Sequence, residues 1–172
     1  DGKAMLGISH TSPNEVYASI ANSLNSIGLF KSVDGGDNWT LINDQNVASF
    51  QGWYSHDIVV DPTNANNLIY SGLEVYRSVD RGTSFDQVGF NQLAFLGQVP
   101  VGGPEGPPEY VHSDVHQVKY HPEFSNFVFA ITDGGIFVSN NGGQDWEGRN
   151  GGYQTQQFYA NFSNSSTDPL FA

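Results

Sequence analysis

Apolar residues along the chain come in short runs and never in helical stripes. DIVV, NLIYSG, EVYRSV, NFVFAIT and GIFVS are rich in β-branched and aromatic residues and are bounded by Gly, Asn or Pro, the pattern of strands only a few residues long. No window sustains apolar residues at i, i+3 and i+4, which argues against helical repeats. The runs fall into groups of four strands, A to D. Strand A is predicted at 4–9, 56–60, 115–120 and 158–162, and strand B at 15–20, 68–71 and 127–132. Strand C is predicted at 29–33, 75–79 and 136–139, and strand D leaves the turn after C.

That turn is written three times, as SVDGGDNW at 32–39, SVDRGTSF at 78–85 and SNNGGQDW at 139–146. The shared positions are Ser32, Asp34, Gly36 and Trp39, then Ser78, Asp80, Gly82 and Phe85, then Ser139, Asn141, Gly143 and Trp146. A proline loop precedes each copy, with Pro13, Pro62 and Pro122 standing 19, 16 and 17 residues ahead of the serine. The prolines are spaced by 49 and 60 residues, and Pro169 follows after another 47. A period of about fifty built from short strands is that of a β-propeller, each repeat being one four-stranded blade.

The eight-residue stretch admits a metal loop, a phosphate cradle or a turn. An EF-hand-like loop beginning at Asp34 needs a glutamate where the chain has Gln45, and the third copy replaces Asp34 by the neutral Asn141. No Lys-Ser/Thr follows to complete a phosphate loop. A C-to-D hairpin turn fits: Asp or Asn accepts from backbone amides ahead of it, Gly permits positive φ, and the aromatic folds over the hairpin.

These stretches resemble the Asp-box, or BNR, repeats of sialidases, xyloglucan-degrading glycosidases, sortilin-type receptors and a photosystem assembly factor. The run QGWYSHDIVVDPTNANNLIYSG, then HSDVHQVKYHP, ITDGGIFVSNNGGQDW and GGYQTQQFY looks more narrowly like large secreted Bacteroidetes-type Asp-box proteins. Those are often described as glycosyl-hydrolase-like, and many carry a sorting domain for type IX secretion. The resemblance implies an all-β fold with blades over 4–42, 56–88 and 115–148, an incomplete blade over 157–172, and a Pro/Gly-rich insertion over 89–112. Asp-box propellers commonly have about six to eight blades. The resemblance therefore implies a segment of a larger propeller whose remaining blades come from the same or another chain.

Composition narrows the partners. The 172 residues are 38% hydrophobic and 13% aromatic, enough for a well-formed core. Six Lys and Arg against 18 Asp and Glu give a net charge of −12, which disfavours nucleic acid and anionic membrane surfaces. No cysteine is present, so no disulfide bears on the compartment. No apolar run approaches the ~18 residues of a membrane span, and the start lacks the features of a signal peptide.

In a propeller the repeated turns lie on the face away from the usual site, so candidate chemistry is sought on the opposite face. That face gathers the connections 43–55, 86–113 and 147–156 and the turn containing Asp133, Gly134 and Gly135. His56 and His116 occupy the same position ahead of their prolines, near the top of innermost strands. His112, Asp114 and His116 alternate, and in an extended segment they share one side, where they suit a divalent metal or proton transfer. Asp57 and Asp114 are the candidate acid and base of a glycoside hydrolase. Trp53, Tyr54, Tyr110, Tyr153 and Tyr159 offer flat rings for a sugar, alongside His56, His112 and His116 as ligand contacts. Arg77, Arg81 and Arg149 are placed unsuitably for the arginine triad of a sialidase. The expected function is a secreted or cell-surface propeller segment binding a carbohydrate or protein ligand at the channel mouth. A glycoside hydrolase and a structural or assembly module are the alternatives.

Overall fold

The computed structural model describes residues 2–97 and 106–151. The predicted incomplete blade over 157–172 and residues 98–105 of the insertion lie outside them. The described residues form three four-stranded antiparallel sheets, each in simple chain order. The first comprises β1 (Gly2–Ile8), β2 (Val16–Asn22), β3 (Ser26–Ser32) and β4 (Thr40–Asn43). The second comprises β5 (Asp57–Val60), β6 (Leu68–Ser71), β7 (Val75–Ser78) and β8 (Asp86–Gly89). The third comprises β9 (Val115–Tyr120), β10 (Val128–Thr132), β11 (Gly135–Ser139) and β12 (Glu147–Gly148). The first strands of the three sheets, β1, β5 and β9, pack side by side, which makes them the inner strands.

The core lies between sheets. Tyr17 and Leu29 of the first sheet meet Ile58, Val60, Leu68 and Tyr70 of the second. From its other face the second sheet offers Ile69 and Val75 to Val118, Val128, Ala130 and Phe137 of the third. Adjacent residues of β6 thus enter different cores, because alternation sends them to opposite faces. This is why LIYS is apolar or small throughout: both faces of the middle sheet are covered. On the first sheet the face opposite Tyr17 and Leu29 leaves Leu6, Leu41 and Trp39 exposed.

The three repeated turns share one set of bonds. The Ser32, Ser78 and Ser139 hydroxyls accept the amides of Gly36, Gly82 and Gly143 at 2.9, 2.9 and 2.8 Å. Each hydroxyl donates in turn to the side chain two residues on, Asp34, Asp80 or Asn141. Those side chains accept the amides of Asn38, Ser84 and Asp145. In the third copy the acid and amide have changed places: Asn141 Nδ2 donates to Asp145, whereas Asn38 Nδ2 donates to Asp34. One carboxylate and one amide serve either way, so the turn keeps its side-chain bond with the neutral Asn141.

The turns are also tied to the proline loops. The amides of Gly35, Arg81 and Gly142 donate to the carbonyls of Asn14, Asn66 and Asn126 at 3.0, 3.0 and 2.8 Å, which is the physical reason the two marks travel together in the sequence. These donors have φ of 80, 62 and 74°. Arg81 holds this left-handed conformation without being glycine, its guanidinium bonding Asn66 Oδ1 and Glu15.

The next glycine of the second and third turns approaches the preceding sheet. A Cβ on Gly82 would meet Leu29 and Ile42, and one on Gly143 would meet Ile69. Trp146 is accordingly 4% exposed while Trp39, with no preceding sheet among the described residues, is 40% exposed. The structure adds a single helical turn, α1 (Gln92–Phe95), inside the insertion, where Leu93 and Ala94 pack on the second core.

Ser78→Ala removes a buried hydroxyl that three groups depend on. We expect it to destabilise the protein by about 1–3 kcal/mol through unsatisfied turn amides, read as a lower urea midpoint with an unchanged slope.

Candidate functional site

The sheet ends opposite the repeated turns carry the 43–56 connection, the entry to β9 and the turn at Asp133 and Gly134. Lys3 Nζ donates to the Tyr54 carbonyl at 3.0 Å, fixing the connection to the first sheet. From there Tyr54 extends to the third sheet, where its hydroxyl donates to both oxygens of Asp133 at 3.2 and 3.3 Å. His116 Nε2 lies 2.6 Å from Asp133 Oδ1, and its ring meets that of Tyr54 edge-on at 4.8 Å. Trp53 rests at a tilt on Tyr54, ring centres 4.9 Å apart, and is 62% exposed.

Local backbone irregularity aims His116. The register of β9 on β10 passes from Gln117 opposite Ile131 to Val115 opposite Thr132, so His116 is the extra residue of a bulge. Bulges redirect side chains in this way. Just before it Asp114 has φ 63°, outside the extended region. The alternation expected across 112, 114 and 116 is therefore broken, and the proposed metal set comes apart. His112 Nδ1 donates to the Ser113 carbonyl at 3.1 Å, Gln51 Nε2 donates to Asp114, and His116 turns to Asp133. Among the described residues no three His, Cys, Asp or Glu side chains are arranged to hold a metal ion.

The two equivalent histidines differ in access. His56 is fully buried, with Nδ1 2.7 Å from the Ser19 hydroxyl and Nε2 without a hydrogen-bond partner. Burial, and then the Lys3 charge, push its pKa down to about 4, so it is a neutral interior group. Asp57 is also buried, and burial raises its pKa against the pull of two amides. Its oxygens accept from Ile58 N and, across the sheet gap, from Val118 N, each at 2.9 Å. It thereby ties β5 to the edge of β9. Tyr110 lies in the core against Phe137. Ligand contact expected of His56 and Tyr110 is thus blocked by burial, whereas Trp53, Tyr54, His116 and, half-buried, His112 remain on the open face. Tyr153 and Tyr159 lie outside the described residues.

Three participants were not singled out from sequence. Asp133 reads as an ordinary turn residue before two glycines, and its partners lie 79 and 17 positions away. Gln51 carries no chemical signature until it meets Asp114. Glu74, in the turn from β6 to β7, accepts the Asn91 amide at 2.6 Å, and Asn91 Oδ1 accepts the Ser113 amide at 3.2 Å. This chain of bonds moors the insertion beside the site. Burial pushes the Glu74 carboxyl up to about 7. The three arginines are engaged separately, Arg77 with the Gly142 carbonyl, Arg81 with Glu15 and Asn66, and Arg149 with Glu147.

No family model matches the chain, and no curated protein matches it. Solved structures do. A GH74 enzyme of Niastella koreensis superposes with a TM-score of 0.62 at 15% identity, over 84% of this chain and 22% of its own. The GH74 xyloglucanase of Xanthomonas campestris gives 0.56 at 14%, over 84% and 23%. YCF48 bound to a D1 peptide gives 0.51 at 14%, over 86% and 40%. The chain is a segment of a β-propeller. Its three sheets are blades, β1, β5 and β9 line the channel side, and the Trp53–Asp133 network lies at the channel mouth. The segment spans about a fifth of the length of the GH74 enzymes it resembles.

The raised Glu74 pKa makes a pH prediction. The folded chain holds this proton more tightly than the unfolded chain, so its contribution to stability falls as pH rises from about 4.5 to about 7. Glu74→Gln should gain on the parent protein across that window and keep a constant advantage above it. We expect a gap of about 1–2 kcal/mol, less than the full shift because part of the carboxyl sees solvent. His56 acts in the opposite direction, so the difference between variant and parent melting curves is the quantity to measure.

Proposed function

We propose that the chain is part of a secreted or cell-surface Asp-box propeller that binds a ligand at its channel mouth, with a carbohydrate favoured over a protein. The observation that carries this reading is the exposed Trp53 ring, propped on Tyr54 beside the planar polar groups of His116, Asp133, Gln51 and Asp114. A flat ring covers the C–H face of a pyranose, while carboxylate, amide and imidazole groups serve its hydroxyls. The surrounding fold supports the rigidity such a site needs, since every member stands on a strand end, a turn or a connection pinned by Lys3. A GH74 neighbour is a xyloglucanase and YCF48 binds a peptide, so both ligand classes belong in the trial.

The apolar outer face of the first blade, with Trp39 exposed on it, supports completion of the ring by further blades of the same kind. Secretion rests on the resemblance to secreted Asp-box proteins; no helix among the described residues is long and apolar enough to cross a membrane. Catalysis by Asp57 and Asp114 has less behind it. Both Asp57 oxygens are committed to backbone amides inside the protein, and Asp114 is bonded by Gln51 and Ser113.

Titration of the full polypeptide against a glycan panel and against peptides tests the reading. Trp53→Ala should weaken glycan binding at least about tenfold, the loss of roughly 1.4 kcal/mol, with the melting temperature unchanged. Absence of any glycan or peptide binding, or binding indifferent to Trp53→Ala, would remove it.

A further inference from the structure

The acceptors around Trp53 are unevenly filled. Asp133 Oδ1 takes the His116 bond at 2.6 Å and the nearer arm of the Tyr54 hydroxyl at 3.2 Å. Among the described residues, Oδ2 receives only the 3.3 Å arm of that same hydroxyl. The Asp133 side chain is 21% exposed, and a carboxylate oxygen can accept more than one bond.

The charge of the mouth is equally one-sided. Asp114, the second carboxylate of this face, is held by Gln51 and Ser113, both neutral donors. The cations of the inner strands, Lys3 and Lys119, act on Asp57, and Lys3 is further turned to the Tyr54 carbonyl. Arg149 pairs with Glu147. A ligand arriving on Trp53 therefore meets two carboxylates, one of them paired with the His116 imidazole, together with the π-face of the aromatic that attracts cations best. The Tyr54 ring lies against the Trp53 ring, and its hydroxyl reaches Asp133. A carboxylated or sulfated sugar is repelled here, and a neutral sugar leaves the open carboxylate oxygen to water.

The geometry points to a glycan carrying free amines, of the de-N-acetylated amino-sugar class, with a pyranose on Trp53 and its ammonium on Asp133 Oδ2. This inference rests on the mouth being a glycan site. A basic peptide supplies the ammonium but not the flat sugar face that the exposed indole matches, and it is the competing class.

The test is calorimetric titration of the full polypeptide with tetramers of glucosamine, N-acetylglucosamine and galacturonic acid and with a lysine-rich peptide. The glucosamine tetramer should bind roughly fivefold more tightly than its N-acetylated counterpart, the effect of an ammonium–carboxylate pair of about 1 kcal/mol. Added salt should shrink that ratio, and the galacturonic acid tetramer should bind least. Asp133→Asn keeps an oxygen for both His116 and Tyr54. It should abolish the fivefold preference, bringing the glucosamine tetramer to the affinity that the N-acetylated tetramer shows for the same variant. Equal affinity for the two tetramers, an equal loss for both in Asp133→Asn, or binding of the peptide alone overturns the inference. N-acetylglucosamine binding that depends on Trp53 but shows no amine preference defeats this inference and spares the binding site. Loss of all glycan binding defeats both.

Discussion

A serine hydroxyl at the end of each third strand does two jobs at once, and the rest of the molecule depends on it. It accepts the amide of a glycine four residues on and donates to the Asp or Asn two residues on. With the hydroxyl spent on the turn, the chain reverses in a few residues and the following glycine comes close to the preceding blade. The same turn presents an amide to the proline loop of its own blade. One polar group, buried and fully used, therefore sets the hairpin, the loop beside it and the distance between blades. A buried hydroxyl with all its bonds made stabilises modestly, but with any of them missing it is costly.

Inter-blade chemistry continues this economy along the channel. Asp57 carries its carboxylate across the gap to the Val118 amide, where an inner strand would otherwise show an unpaired donor. His56 makes a comparable crossing to Ser19 of the first blade. The two residues with the strongest chemical look in the inner strands are thus occupied in holding blades together, and their burial takes them away from solvent. His116, equivalent to His56 in the repeat, escapes that fate through one extra residue in β9. The bulge and the left-handed Asp114 place it beside Tyr54 and Asp133. Regular repeats build the scaffold here, and departure from regularity opens the site.

The described ends of the largest departure, the insertion after β8, are bonded to the blades. Glu74 and Asn91 moor one end near the mouth. Pro108 and Glu109 bond Trp146 and Phe90 at the other, so the segment bridges the second and third blades. Its mooring includes a carboxyl that burial pushes up to about 7, so this contact varies in charge near neutrality.

Period and turn chemistry were legible in the linear chain because both are local. Apolar runs too short for helices, the Ser-x-Asp/Asn-x-Gly-x-x-aromatic stretch and its fixed distance from a proline depend on bonds spanning two to four residues or on the strand period. From them followed an all-β propeller segment and the setting aside of SVDGGDNW as a turn. Trp53 and Tyr54 were singled out as flat rings on the face opposite the repeated turns, and His116 by its place near the top of an inner strand. What tertiary structure alone decided is which polar residues remain open. His56, Asp57 and Tyr110 resemble site residues in sequence and are sealed by neighbouring blades. Asp133 resembles a turn residue and becomes the centre of the network, because its partners arrive from another blade 79 positions earlier and from a bulge that no alternation pattern reveals. Burial and pairing between blades are sums over distant segments, and those sums exist only once the sheets have stacked.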